Sequence, residues 1–177
     1  MRGRQVCCSV RLHYPLWSEG GCGVSYLGER GEVSAVYRPV TEQPQRLGVG
    51  RIVATGAATN GDFGLFRGEI PARTNGPSAH FHRTFSESFY VLSGTACVYD
   101  GQQWVNVSTG DFVYVPKGGI HALNNDSDQL VEMLVVFSPG VPRERFAEEL
   151  IAIKDSGRQL SPDEWAEFYA RHDQYMV

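Results

Sequence analysis

The chain has 177 residues, a length that points to one domain rather than two and suffices to bury one sizeable core. Sixteen Lys plus Arg against twenty Asp plus Glu give a net charge of −4, with no basic stripe interleaved with aromatics, which counts against nucleic acid and anionic membranes as partners. No apolar run approaches the roughly 18 residues of a spanning helix, and twenty Gly with nine Pro point to many turns, hence many short strands.

The first residues, Met1-Arg2-Gly3-Arg4, precede an apolar run from Val6 to Val10 that Arg11 cuts before a signal-peptide core forms, so a cytoplasmic location is expected. Cys7, Cys8, Cys22 and Cys97 contain no C-x-x-C and read as reduced thiols of minor structural weight. Residues 1–33 carry scattered glycines and arginines without sustained periodicity and read as an N-terminal arm or leader. A loose tail, strand exchange with a partner subunit and a misplaced start codon all fit.

From residue 34 to residue 140 the texture is all-β. Val36-Tyr37, Arg51 to Thr55, Phe63 to Ile70, Ser88 to Leu92, Ala96 to Tyr99, Trp104 to Val107, Phe112 to Val115, Ile120 to Leu123 and Leu130 to Phe137 are short β-prone runs with turn signals such as Asp100-Gly101 between them. Strands at this spacing predict a sandwich or barrel. Over residues 141–177 the period changes: Phe146, Leu150 and Ile153 share a helical face, and Ser161-Pro162-Asp163-Glu164 supplies an N-cap, a proline at the first turn and a capping-box glutamate. Trp165, Phe168, Tyr169 and His172 then form one stripe, and both helices are expected to pack on the outside of the barrel.

Three histidines stand where strands begin or end. His80 and His82 are two apart, so an extended backbone turns both to one face and Phe81 to the other. Glu87 follows after enough chain to return a carboxylate to the same point, and His121 comes after Pro116-Lys117-Gly118-Gly119, a turn tight enough to face an imidazole inward. Three imidazoles and a carboxylate suit one divalent transition metal ion, Fe, Ni, Co, Mn, Cu or Zn, without selecting among them. A lone His-x-His also arises by chance at strand ends.

The pattern His80-x-His82-x4-Glu87-x6-Gly94, then Gly110-x5-Pro116-x-Gly118-x2-His121-x3-Asn125, resembles the two motifs of the cupin superfamily. The one departure is Thr74 where the family places a glycine six residues before the first histidine, with Gly76-Pro77 close by. The stretches Phe63 to Glu69, Ser88 to Gly94, Gly110 to Lys117 and Ser138 to Leu150 are similar to small single-domain cupins of the quercetin 2,3-dioxygenase type. This resemblance implies a cupin β-barrel, a jelly roll or double-stranded β-helix, with C-terminal α-helices. It implies His80, His82, Glu87 and His121 as metal ligands, Gly94 and Gly110 flanking the hairpin between the motifs, and a homodimer.

By the same resemblance the expected activity is a metal-dependent dioxygenase that cleaves a flavonol-like or other enolisable small molecule with O2. A non-oxygenase cyclase, isomerase or lyase, and a non-catalytic small-molecule binder, use the same ligand set. Glu87 is either a ligand only or also the catalytic base for the substrate hydroxyl. Inward strand positions make Phe66, Phe89, Tyr114, Leu123 and Met133 the candidate substrate pocket, each of which also reads as core. Arg67 and Glu69 read as solvated edge charges.

Overall fold

The computed structural model describes residues 30–31, 35–43, 46–47 and 50–177. The chain divides into two compact units, Met1–Tyr37 and Arg38–Val177. Apart from Arg30 and Gly31, the expected arm of residues 1–33 lies outside the described residues, as do Cys7, Cys8 and Cys22. Val36-Tyr37 forms no strand.

In the second unit a six-stranded antiparallel sheet runs in the order β1 (Arg46–Leu47), β2 (Gly50–Ala54), β3 (Gly64–Ile70), β11 (Val131–Ser138), β6 (Ser86–Ser93) and β9 (Phe112–Val115). A four-stranded sheet runs β4 (Thr74–Asn75), β10 (Ala122–Asn125), β7 (Thr95–Tyr99) and β8 (Trp104–Ser108). Consecutive strands β6, β7, β8 and β9 pass from the larger sheet to the smaller and back. The corners are Gly94 and Gly110, at φ 83° and 92°, a left-handed conformation that glycine adopts without side-chain crowding. This crossing makes the architecture a double-stranded β-helix.

Alternation along these strands builds the core. In β6 Phe89 and Val91 point inward, in β7 Ala96 and Val98, and in β11 Val131 and Met133, all buried against Val107, Val115 and Leu123. Asn125, fully buried, ends β10 by bonding backbone on both sides: its Nδ2 lies 2.9 Å from Ile70 O, 3.0 Å from Pro71 O and 2.7 Å from Gln129 O, while its Oδ1 accepts from Ser127 N at 3.0 Å and Ser127 Oγ at 2.7 Å. The motif asparagine therefore closes a loop.

After β11 come α1 (Arg143–Asp155) and α2 (Pro162–Arg171), with the capping box of α2 formed as its sequence predicts: Glu164 N donates to Ser161 Oγ and Ser161 N to Glu164 Oε2. Phe168 is buried, its ring 5.2 Å from that of Phe146 on α1. The chain then turns through Asp173, at φ 52°, into β12 (Tyr175–Met176), which pairs antiparallel with β5 (His80–Phe81). Arg143, Phe146, Leu150 and Tyr169 of these helices line the cavity at the barrel mouth.

Candidate metal centre

Each motif residue reaches the same point by a different route. His80 lies on β5 and pairs with His121 across two backbone bonds, His80 N to His121 O at 3.0 Å and His121 N to His80 O at 2.9 Å. That pairing fixes His121 opposite His80, and it delays the start of β10 to Ala122, two residues past the expected Ile120. Gly118, at φ 80°, donates its N–H to His82 O at 2.7 Å, so the glycine turn also anchors the strand carrying the first two histidines. Glu87 enters from β6 in the facing sheet. All four side chains are buried, and one ligand atom from each lies within 4.8 Å of the others.

Their hydrogen bonds decide what the cluster can hold. His80 Nδ1 donates to Ser78 O at 2.7 Å, His82 Nδ1 to Asp173 O at 2.6 Å, and His121 Nδ1 to Gly119 O at 3.1 Å. A carbonyl only accepts, so each Nδ1 carries the hydrogen and each neutral ring turns its Nε2 lone pair into the cluster. Glu87 Oε2 stands 3.2 Å from His82 Nε2 and 3.1 Å from His121 Nε2. Lone pairs facing one another at that range repel unless a proton or a cation lies between them. Three oriented imidazoles and a carboxylate suit a first-row transition ion, and backbone partners on the far nitrogens are what such ligands use to hold their tautomer.

Burial and the neighbouring charge of His121 lower the pKa of His80 from 6.5 to about 4, with the Ser78 bond opposing, which keeps this ring neutral and available as a ligand. Burial alone would raise Glu87, but a proton held between its Oε2 and the His121 or His82 ring outweighs that and keeps it well below the usual carboxylate range. Asp173 supports the centre twice over. Its carbonyl orients His82, and its carboxylate accepts from Arg83 N at 3.0 Å, Thr84 N at 2.7 Å and Thr84 Oγ1 at 2.7 Å, fixing the turn between His82 and Glu87.

The cluster opens on a cavity of about 610 Å³. Of the residues expected to line it, Phe66, Phe89, Leu123 and Met133 do. Tyr114 does not: on β9 the buried side of the alternation falls to Val113 and Val115, and Tyr114 stands 58% exposed on the outer face opposite Ser88. Arg67 and Glu69 also border the cavity, Arg67 remaining exposed and paired with Glu132 at 2.7 Å.

Arg143, at the start of α1, was invisible to the motif reading. Its Nη1 donates to His172 O at 3.0 Å and its Nη2 to Gln174 Oε1 at 3.3 Å, while its guanidinium lies 4.2 Å above the Phe146 ring. Burial lowers its pKa against the opposing pull of Glu87 and Asp173, and it remains a cation. The only sequence signal was its place just after Ser138-Pro139-Gly140, where a helix begins.

The cupin domain model matches residues 66–137, which contain all four cluster residues. A quercetin 2,3-dioxygenase of Bacillus subtilis (strain 168) is 32% identical over 96 residues, covering 51% of this chain and 26% of that protein. An uncharacterized protein of Streptomyces coelicolor is 42% identical over 53 residues, 30% of this chain and 50% of that protein. The chain thus spans between a quarter and a half of these relatives. Among solved structures, a double-stranded β-helix protein of Klebsiella pneumoniae has a TM-score of 0.46 at 18% identity, over 64% of this chain and 94% of that one. A predicted oxalate decarboxylase of Thermotoga maritima has a TM-score of 0.46 at 22% identity, over 51% and 80%.

Fold and cluster together define a double-stranded β-helix with four inward ligand-type side chains at the mouth of an apolar cavity. Residues 66–137, the stretch that carries the cluster, match the cupin domain.

Proposed function

We propose that this chain is a metal-dependent dioxygenase acting on a flavonol-like or other enolisable small molecule, as a cytoplasmic homodimer. The observation that carries the reading is the lone-pair geometry: three tautomer-locked histidines and Glu87 converge beside a cavity of drug-like size. His80, His82, His121 and Glu87 would hold a divalent ion, leaving room for an exogenous ligand. Such an ion supplies Lewis-acid polarisation of a substrate oxygen and, where redox-active, access to O2.

The other steps belong to the protein. Phe66, Phe89 and Met133 hold the apolar body of the substrate and keep water from it. Glu87 Oε2 accepts the proton of the substrate hydroxyl, and the burial of its carboxyl favours the protonated form that results. Arg143 and the aromatic face of α1 cover the cavity. The similarity to the Bacillus subtilis enzyme supports oxygen chemistry over other uses of the site. For the dimer, Tyr90, Phe112 and Tyr114 form an exposed aromatic strip along the edge strand β9 and its neighbour β6.

The test is elemental analysis with oxygen-electrode recording on a flavonol panel, for the wild type and His82→Ala. Near-stoichiometric redox metal with oxygen uptake that vanishes in the variant supports the reading. Turnover without oxygen would move the protein to the cyclase, isomerase or lyase class. Absence of metal from both proteins overturns the centre.

A further inference from the structure

We infer that the cavity takes an anionic substrate, an aromatic or enolisable carboxylate, whose acid group is bound by Arg143 while its hydroxyl faces the histidine cluster. The inference rests on the cavity being the substrate site of a metal-dependent enzyme, but not on the use of oxygen. Charge is its first support. Three neutral imidazoles and one carboxylate leave a divalent ion one unit positive, and Arg143 adds a second positive charge to the same apolar enclosure. Besides Glu87 the wall carries one carboxylate, Glu69, and, apart from Arg67, whose charge Glu132 balances, two cations, Arg143 and Lys154.

Geometry is the second support. Arg67 has its own acid in Glu132, whereas no carboxylate among the described residues comes within 4.0 Å of the Arg143 guanidinium. A guanidinium offers five N–H donors, and the contacts with His172 O and Gln174 Oε1 engage the two terminal nitrogens only once each. Those contacts, with the Phe146 ring below, fix the plane of the fork in advance, which is how arginine is presented to a planar carboxylate. An uncharged flavonol uses none of this.

The test compares 1-hydroxy-2-naphthoate with its neutral carboxamide in zinc-loaded protein, by titration calorimetry at fixed salt. Comparing the acid-to-amide affinity ratio across variants cancels whatever the ion itself prefers. Arg143→Gln is expected to lower that ratio at least tenfold, and Arg143→Lys to restore part of it. In wild-type protein labelled with 15N-arginine, the Arg143 Nε resonance, assigned by its loss in Arg143→Lys, should shift with the acid and stay with the amide, a readout that survives even if Arg143→Gln folds poorly. A ratio within twofold of wild type in Arg143→Gln, or an Nε signal indifferent to the acid, overturns the assignment. Failure of oxygen uptake on the flavonol panel would remove the dioxygenase reading and leave this ratio unaffected; a flat ratio with oxygen uptake intact would remove only the anionic substrate.

Discussion

Asp173 offers the sharpest quantitative check, because one residue fastens the C-terminal segment to the turn between two candidate ligands. Its carboxylate accepts from three donors on Arg83 and Thr84. At a partly exposed turn each such bond contributes about 1 kcal/mol, so Asp173→Gly should destabilise the metal-free protein by about 3 kcal/mol. Asp173→Ala should fall about 1 kcal/mol lower still, since the backbone there has φ 52° and a Cβ without a local hydrogen bond is crowded in that region. Asp173→Asn keeps one acceptor oxygen and tolerates the left-handed backbone, for a loss of about 1 kcal/mol. Urea unfolding of chelator-treated protein measures all three. Because the Asp173 carbonyl also orients His82, metal affinity from chelator competition should drop about 10- to 100-fold in the glycine variant. Equal stability of the glycine, alanine and asparagine variants, or wild-type metal affinity in the glycine variant, would refute the linkage between this turn and the centre.

Acid should weaken the metal-free fold in a defined window. The folded chain keeps His80 unprotonated down to about pH 4 while the unfolded chain takes up a proton near 6.5, so this contribution, about 3 kcal/mol, is complete above pH 6.5 and is lost as pH falls towards 4. Glu87, whose folded pKa is depressed, adds a further loss below about pH 4.5; urea midpoints at pH 7, 5.5 and 4 read both, and a flat midpoint would contradict the burial assigned to His80. Gly94→Ala should be far more damaging than Gly110→Ala: at position 94 an added Cβ would meet Leu130 O at 2.7 Å, whereas at 110 it meets nothing, leaving only the backbone penalty of about 1–2 kcal/mol, and paired urea melts show the difference. Asn125→Ala should cost about 3 kcal/mol, by removing the contacts of a buried side chain with the carbonyls of Ile70, Pro71 and Gln129, as measured by thermal and urea unfolding.

Much of this molecule is legible from period and spacing. The strands from Phe63 to Phe137 are found at or within a few residues of their expected positions, because each is a short β-branched or aromatic run cut off by glycine or a turn residue. The four cluster residues are legible for a related reason: alternation puts His80 and His82 on one face, and the glycine turn brings His121 back. What could not be read is whatever depends on contacts between distant parts of the chain. Tyr114 looked inward because it is aromatic and on a strand, yet which face of β9 is buried is set by its pairing with β6. The amphipathic stripe of α1 showed that the helix packs, not that it packs over the barrel mouth with Arg143 reaching the cavity. The carbonyl that orients His82 lies 91 residues away, beyond any local pattern.

That last contact separates the three histidines into two kinds. His80 and His121 are each aimed by a carbonyl two residues away, within their own turns. His82 is aimed by a residue that follows α2, in a segment held by the β5–β12 pairing and the bonds of Asp173. Opening that short segment requires far less than opening the barrel. The rate at which a bound ion leaves or is replaced should therefore follow the fraying of the chain after α2, and ion exchange can proceed while the two sheets stay closed.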